Sequence, residues 1–147
     1  MNEILIILRV LINDVLGNLY SDSDLNRIIV VAAGLVKREI SVDTVYTLDY
    51  NSFLISPEPI DEVFMNFTAL KAAIILLRGE LKDISTNSFK ITDGPSTIDT
   101  TSRYSSSRGV LDDLLEQYAL DKVSYSINNS IGGYRAIITT PTTQNEI

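Results

Sequence analysis

The chain has 147 residues, of which 45% are hydrophobic and 21% charged, and this composition predicts one globular domain with a sizeable core. Its 12 Lys and Arg residues against 19 Asp and Glu residues give a net charge of −7, which argues against specific recognition of a nucleic-acid duplex. It contains no Cys and no His, which excludes disulfides, thiolate chemistry and the commonest metal ligand and general base. We therefore expect no catalytic residue, no cofactor and no bound metal.

The N-terminal segment is apolar and follows the helical period, which predicts a first helix over 3–16. Its start lacks basic residues, and Arg9 and Asp14 interrupt it, so we expect a buried helix rather than a signal peptide or a membrane span. The expected buried stripe consists of Ile4, Leu5, Leu8, Leu11, Ile12, Val15 and Leu19.

The second helical pattern, over 23–40, follows a run of side-chain oxygens at Ser21, Asp22, Ser23 and Asp24. The two carboxylates could form a site, but a Ser-Asp-Ser-Asp sequence before a helix is what helix capping requires. After this helix, β-branched and aromatic residues predict a short hairpin with arms near 44–49 and 52–55.

The third helical pattern, over 60–84, is apolar on all sides at its middle, which is typical of the central helix of a bundle. A fourth amphipathic pattern covers 102–124. The sequence therefore predicts a mainly α fold: a small bundle of about four helices with a short β-hairpin, a long polar loop over 85–101 and a C-terminal strand-like arm. We expect one helical domain over 1–128, with the arm and tail over 129–147.

Read in order, four pieces of the sequence resemble the head-to-tail adaptor, or head-completion, proteins of tailed bacteriophages. The resemblance extends from Tyr20 to Asn128 and depends on the order and spacing of the pieces, because no single motif is diagnostic. The pieces are YSDSDL with AAGLVKREI, the hairpin into ISPEPIDEVF, the central FMNFTALKAAIILLRGEL, and FKITDGPSTIDTTSR before the last helix.

The resemblance implies a non-enzymatic virion protein, made in the host cytoplasm and located at the neck. Such proteins form a homo-oligomeric ring, commonly of twelve copies, beneath the portal. The ring extends the channel through which double-stranded DNA passes non-specifically, and it offers a docking surface to tail or neck proteins. No membrane partner is implied.

Loops and terminal arms typically carry the portal and neighbour contacts in this family. An active-site lid over 85–101 would need chemistry beneath it, so we expect that segment to contact the portal or the adjacent subunit instead. The arm over 134–140 can pair with the hairpin of its own domain, remain a loose tail, or add a strand to a neighbour. The expected contact residues are Phe89, Lys90, Ile91, Asp93, Gly94, Pro95, Ile98, Tyr134, Arg135, Ile137 and Ile138.

Acids on the outer face of the fourth helix, Asp112, Asp113 and Glu116, fit a solvated surface. In a ring they can line the lumen, where negative charge keeps sliding DNA from binding the wall. The alternative functions are another phage ring component, such as a tail terminator, for which we expect an extended sheet, and a small helical interaction or regulatory protein.

Overall fold

Four helices and two short hairpins make up the part of the chain that the computed structural model describes, namely residues 2–87, 90–93, 96–99 and 101–132. Side chains are described over 2–86 and 105–129. The mainly helical fold predicted from the sequence is confirmed. The elements are α1 (Asn2–Leu11), α2 (Asp22–Glu39), β1 (Thr47–Asp49), β2 (Leu54–Ser56), α3 (Glu62–Asn87), β3 (Lys90–Asp93), β4 (Ser96–Asp99) and α4 (Thr101–Gly132).

Helix α3 is the centre of the fold, as its apolar middle predicts. Helices α1, α2 and α4 all pack against it. Ala69, Ala72 and Ala73 are fully buried, and these small side chains let neighbouring helices approach α3 closely. The α3 side chains of the core are Phe64, Phe67, Ala69, Leu70, Ala72, Ala73, Ile74, Leu76, Leu77 and Leu81.

Helix α2 begins where the sequence predicts, and its N-terminus is capped by Ser21. The Ser21 hydroxyl oxygen accepts a hydrogen bond from the Asp24 backbone N–H at 3.1 Å. Asp24 lies in the first turn, where a negative charge suits the positive end of the helix dipole. Capping therefore explains this part of the Ser-Asp-Ser-Asp run.

Helix α1 is shorter than predicted: it ends at Leu11, not at residue 16. Asn13 adopts a left-handed conformation with φ of 56°, and the chain then turns away from the helix axis. Val15 and Leu19, which we expected on the buried stripe, are 65% and 68% exposed. The carboxylate of Asp14, described below, binds the backbone of this turn and so replaces the helical hydrogen bonds.

The predicted first hairpin forms, but its arms are three residues each, shorter than the predicted 44–49 and 52–55, and they pair antiparallel with Leu48 opposite Ile55. The Asp49 carboxylate closes its turn by accepting hydrogen bonds from the backbone N–H groups of Asn51 at 2.9 Å and Ser52 at 3.3 Å. Ile55 is buried in the core. Leu48 on β1 also packs against the core, and β1 contacts α2, so both strands attach the hairpin to the bundle.

The segment expected as a long polar loop over 85–101 is more regular than predicted. Helix α3 continues to Asn87, and β3 and β4 pair antiparallel with Ile91 opposite Ile98. This hairpin is a two-stranded sheet separate from β1 and β2. The alternation at Phe89-Lys90-Ile91 was the sequence signal for it.

Helix α4 is longer than the predicted 102–124 and runs through Asn128 and Asn129 to Gly132. Tertiary contacts stabilise the added turns. The Tyr125 ring packs edge-on against Phe67 at 6.0 Å between centroids, and its hydroxyl donates to the Ser41 carbonyl oxygen at 2.7 Å. The predicted arm over 134–140 lies outside the described residues.

Candidate interaction surfaces

The outer face of α4 changes character along its length. Leu111, Leu114 and Tyr118 are buried on the inner side. On the other side, exposed positions follow one another at steps of three, four, three and four residues, which places them on one stripe of the helix. They are Asp113, Glu116, Leu120, Val123 and Ile127.

The second half of this face is aliphatic, and we call Leu120, Val123 and Ile127 the apolar stripe. Their exposed fractions are 60%, 57% and 50%. The predicted helix end at 124 left Ile127 outside the helix. The spacing of Leu120, Val123 and Ile127 in the sequence was the available signal for this stripe. The three residues share one helix face only because α4 continues past residue 127.

A second group of uncovered aliphatic residues lies on α1 and on the loop that follows it. We call this group the N-terminal apolar surface. Contiguous exposed apolar patches on a small protein mark contact sites. Its members are Ile6, Val10, Val15, Leu16 and Leu19, with exposed fractions of 62%, 61%, 65%, 84% and 68%.

The loop that carries three of these residues is fixed by the buried carboxylate of Asp14. One oxygen, Oδ1, accepts hydrogen bonds from the backbone N–H groups of Asn18 at 2.8 Å and Leu19 at 3.0 Å. The other, Oδ2, accepts from the Tyr20 N–H at 3.2 Å and from Arg9 Nη1 at 2.6 Å. Four donors thus converge on one side chain that is 2% exposed.

Arg9 completes this cluster. Its Nη2 donates to the Tyr20 carbonyl oxygen at 3.1 Å and to the carboxylate of Asp22. Burial by itself would raise the pKa of Asp14, but the three backbone donors and Arg9 outweigh burial and hold that pKa below its ordinary value of 3.8. The hydrogen bond to Asp22 is the largest contribution raising the pKa of Arg9. Both groups are therefore ionised at neutral pH.

The cluster also removes charge from the surface. Between Ile4 and Ser21 the only charged residues are Arg9 and Asp14, and their side chains are 13% and 2% exposed. The stretch that carries the N-terminal apolar surface therefore exposes little charge of its own, and Asp22, whose side chain is 68% exposed, borders it beside Val15 and Leu16. Arg9 and Asp14 were expected only as interruptions of an apolar helix, and no pattern in the sequence signals that they form an ion pair.

A second polar cluster ties three helices together around Glu39. Its Oε1 accepts from Lys71 Nζ at 2.6 Å, and its Oε2 accepts from the Tyr118 hydroxyl at 2.8 Å, with Lys122 Nζ at 3.8 Å. Burial would raise the pKa of Glu39, but these partners lower it below the ordinary value of 4.5. Because the carboxylate is already engaged by three side chains from α3 and α4, we assign the cluster to stability.

A groove between α3 and α4 lies beside the apolar stripe. Its volume is about 270 Å³. Phe67 and Leu70 form its buried floor, and Asp121 is the only charged residue that lines it. We call it the α3–α4 groove; its lining residues are Val63, Asn66, Phe67, Leu70, Asp121, Ser124, Tyr125 and Asn128.

The expected contact residues fall into two groups. Lys90, Ile91 and Asp93 lie on β3, and Ile98 lies on β4, so the second hairpin brings these four together. The others, Phe89, Gly94, Pro95, Tyr134, Arg135, Ile137 and Ile138, lie outside the described residues.

The acids expected at the lumen, Asp112, Asp113 and Glu116, are all exposed on α4. Asp112 pairs weakly with Arg108 one turn earlier, at 3.8 Å. They share their helix face with the apolar stripe, which the sequence analysis did not anticipate. Whether they line a channel stays a prediction.

Within the described ranges, no group of three or more acidic side chains is arranged to hold a metal ion. Over the same residues, none of the helices combines the length and apolarity needed to cross a membrane. Comparisons of the chain with protein-family models, with curated proteins and with solved structures gave no match.

Proposed function

We propose that this chain is a structural subunit of a bacteriophage neck, a head-to-tail adaptor that assembles as a ring beneath the portal. One observation carries the proposal: a closed helical core leaves two separate aliphatic surfaces uncovered, the N-terminal apolar surface and the apolar stripe of α4. A ring needs two different surfaces on each subunit, because each copy contacts one neighbour with one face and the other neighbour with another.

The fold supports this proposal over the alternative of a tail terminator, for which we expected an extended sheet. The described residues hold two separate two-stranded sheets among four helices. A helical domain is what the resemblance to adaptor proteins implies. Portal, tail and neck proteins are accordingly the proposed partners, together with further copies of the chain.

The face of α4 gives the proposed ring a polarity. Asp113 and Val123 are separated by ten residues on this helix, or about 15 Å at 1.5 Å per residue. A helix inclined in the ring can therefore present its acidic half to the DNA channel and its aliphatic half to a neighbouring chain. Negative charge at the channel wall keeps the DNA phosphates from binding it.

The direct test is imaging of the full chain mixed with portal complexes from virions. We expect rings, twelvefold in projection, seated on the portal in negative stain. Mass photometry of the chain alone and with portal then gives the copy number. Portals that stay bare at micromolar concentrations of the chain would contradict the proposed function.

The channel assignment has its own test. Substitution of Asp112, Asp113 and Glu116 by Lys should slow DNA ejection, because a basic channel wall binds the phosphate backbone of DNA. The matched control places Lys at three exposed acids elsewhere, Asp43, Glu62 and Asp83, for the same change in net charge. Ejection that is equally fast in both variants would remove these acids from the channel.

A further inference from the structure

The loop after α1 is a preordered apolar projection, and we call residues 15–19 the Leu16 loop. Leu16 at its tip is 84% exposed, although the backbone beneath it is fixed by Asp14. Gly17 has a φ of +70°, a conformation that favours glycine, and a Cβ added there would make a tight contact of 3.3 Å with the Arg9 guanidinium. A loop that is already ordered loses little conformational entropy on binding.

The α3–α4 groove matches this projection in size. Since an apolar cavity of about 150 Å³ accommodates benzene, the groove, at 270 Å³, has room for a leucine side chain and part of a second residue. Ser124 on its rim is four residues from Leu120 and three from Ile127, so the groove adjoins the apolar stripe on the helix surface. The groove and the stripe thus form one continuous surface.

We propose that the Leu16 loop of one copy inserts into the α3–α4 groove of the next copy. The inference rests on the proposed ring function and names the contact that builds the ring. The projecting loop and the receiving groove belong to different elements of the same chain. Their contact is therefore head to tail, the type of interface that generates rings.

Low exposed charge permits a second copy at this contact. Each copy carries a net charge of −7, so two copies meet most favourably where little charge is exposed. The stretch from Ile4 to Ser21 contains two charged residues, Arg9 and Asp14, which pair with side chains 13% and 2% exposed. The acid that borders this stretch, Asp22, is paired with Arg9. The groove offers an aromatic and aliphatic floor with Asp121 at its edge, and residues 15–19 contain no acid to oppose Asp121.

The area of the N-terminal apolar surface also suits a specific interface. A fully exposed aliphatic side chain presents roughly 60–120 Å² of apolar surface, so five of them at about two-thirds exposure present on the order of 200–400 Å². Interfaces are about 57% non-polar, and this apolar area therefore corresponds to roughly 350–700 Å² per partner. Specific complexes bury roughly 800 Å² per partner.

Disulfide trapping tests the contact directly, because the chain contains no Cys of its own. One preparation of the full chain carries Leu16→Cys and another carries Ser124→Cys. Oxidation of the mixture should cross-link the two at least tenfold more than oxidation of either alone. The control mixture pairs Leu16→Cys with Asn51→Cys, which is exposed in the first hairpin.

Mass photometry on the same samples distinguishes a failure of the proposed loop contact from a failure of the proposed ring function. Rings without the mixed cross-link would overturn the inference and leave the proposed function intact. Absence of both rings and cross-link would overturn both. Mixed cross-linking without rings would support the contact and contradict the ring. A homodimer of Leu16→Cys that outweighs the mixed product would overturn the inference, because it shows a symmetric contact.

A charged variant gives an independent measurement. Leu16→Asp should weaken self-association at least tenfold and leave the unfolding temperature unchanged, since the side chain adds little to the core of its own chain. Val45→Asp is the matched control, because Val45 is 83% exposed against 84% for Leu16. Equal weakening by the two variants, or no weakening by Leu16→Asp, would overturn the inference.

Discussion

The apolar stripe of α4 should contribute to assembly and nothing to folding. We expect the triple substitution of Leu120, Val123 and Ile127 by Gln to weaken self-association and to leave the folding of the monomer unchanged. Gln is a good helix former, so the helix should persist. The side chains are 60%, 57% and 50% exposed in the single chain, so roughly half of each remains to be buried by a neighbour.

The magnitude follows from that exposure. Complete burial of an aliphatic side chain stabilises by about 1.5–3 kcal/mol, so burial of the exposed half of each gives about 1 kcal/mol per residue and about 3 kcal/mol in all. This corresponds to about a hundredfold increase in the Kd of each intersubunit contact. Exposed substitutions change the free energy of unfolding by less than about 0.5 kcal/mol each.

Sedimentation velocity across a concentration series measures the association, and thermal unfolding followed by circular dichroism measures the monomer. The matched control places Gln at Val31, Val45 and Leu54, which are 48%, 83% and 52% exposed on α2, the following loop and β2. Two results would refute the reasoning: an unchanged Kd in the α4 variant, or equal weakening in the control.

Three further predictions concern the core and its polar clusters. Thr68 is fully buried, and its hydroxyl has no hydrogen-bond partner. Thr68→Val should therefore stabilise the fold by about 1 kcal/mol and raise Tm by about 2–4 °C. A lower Tm would show that the hydroxyl is hydrogen-bonded. Tyr118→Phe removes the hydrogen bond to the partly exposed Glu39 and should lower the free energy of unfolding in urea by about 1 kcal/mol. An unchanged urea midpoint would show that Lys71 and Lys122 already satisfy the Glu39 carboxylate. The pKa of Asp14 is lower in the folded chain than its ordinary 3.8, so the unfolded chain takes up the proton first and stability falls as the pH drops from about 5 through 3.8 and below. Asp14→Asn should be less stable at pH 7 and show a shallower loss with acid, and parallel pH profiles for the two proteins would contradict this account.

Helix number and order, and much of the core, were readable from periodicity alone. The apolar stripe from Leu25 to Val36 indicates a helix with one buried face, because residues that recur at the helical period lie on one side of the helix. The stretch from Ala72 to Leu77 is apolar on all sides, which indicates a helix that is buried all round. The first hairpin was likewise marked by its β-branched residues and its turn. These signals are local, so a sequence carries them without reference to other elements.

The candidate surfaces depended on side-chain contacts that helical periodicity does not report. Periodicity predicted that α1 continues to residue 16. The helix instead ends at Leu11, because Asp14 binds three backbone N–H groups of the turn that follows. Periodicity ended α4 at 124, but the contacts of Tyr125 with Phe67 and Ser41 stabilise the helix beyond that point. Both differences decide which aliphatic side chains remain uncovered.

The sequence by itself thus determined a four-helix fold around one apolar helix, because helix formation and core burial follow from local pattern. Only the tertiary structure decided which apolar residues lie outside. An exposed Leu16 and a buried Leu25 look alike in a periodic pattern, and they differ because a neighbouring element covers one and not the other. That covering is a long-range property of packing, and it is where the proposed interaction surfaces arise.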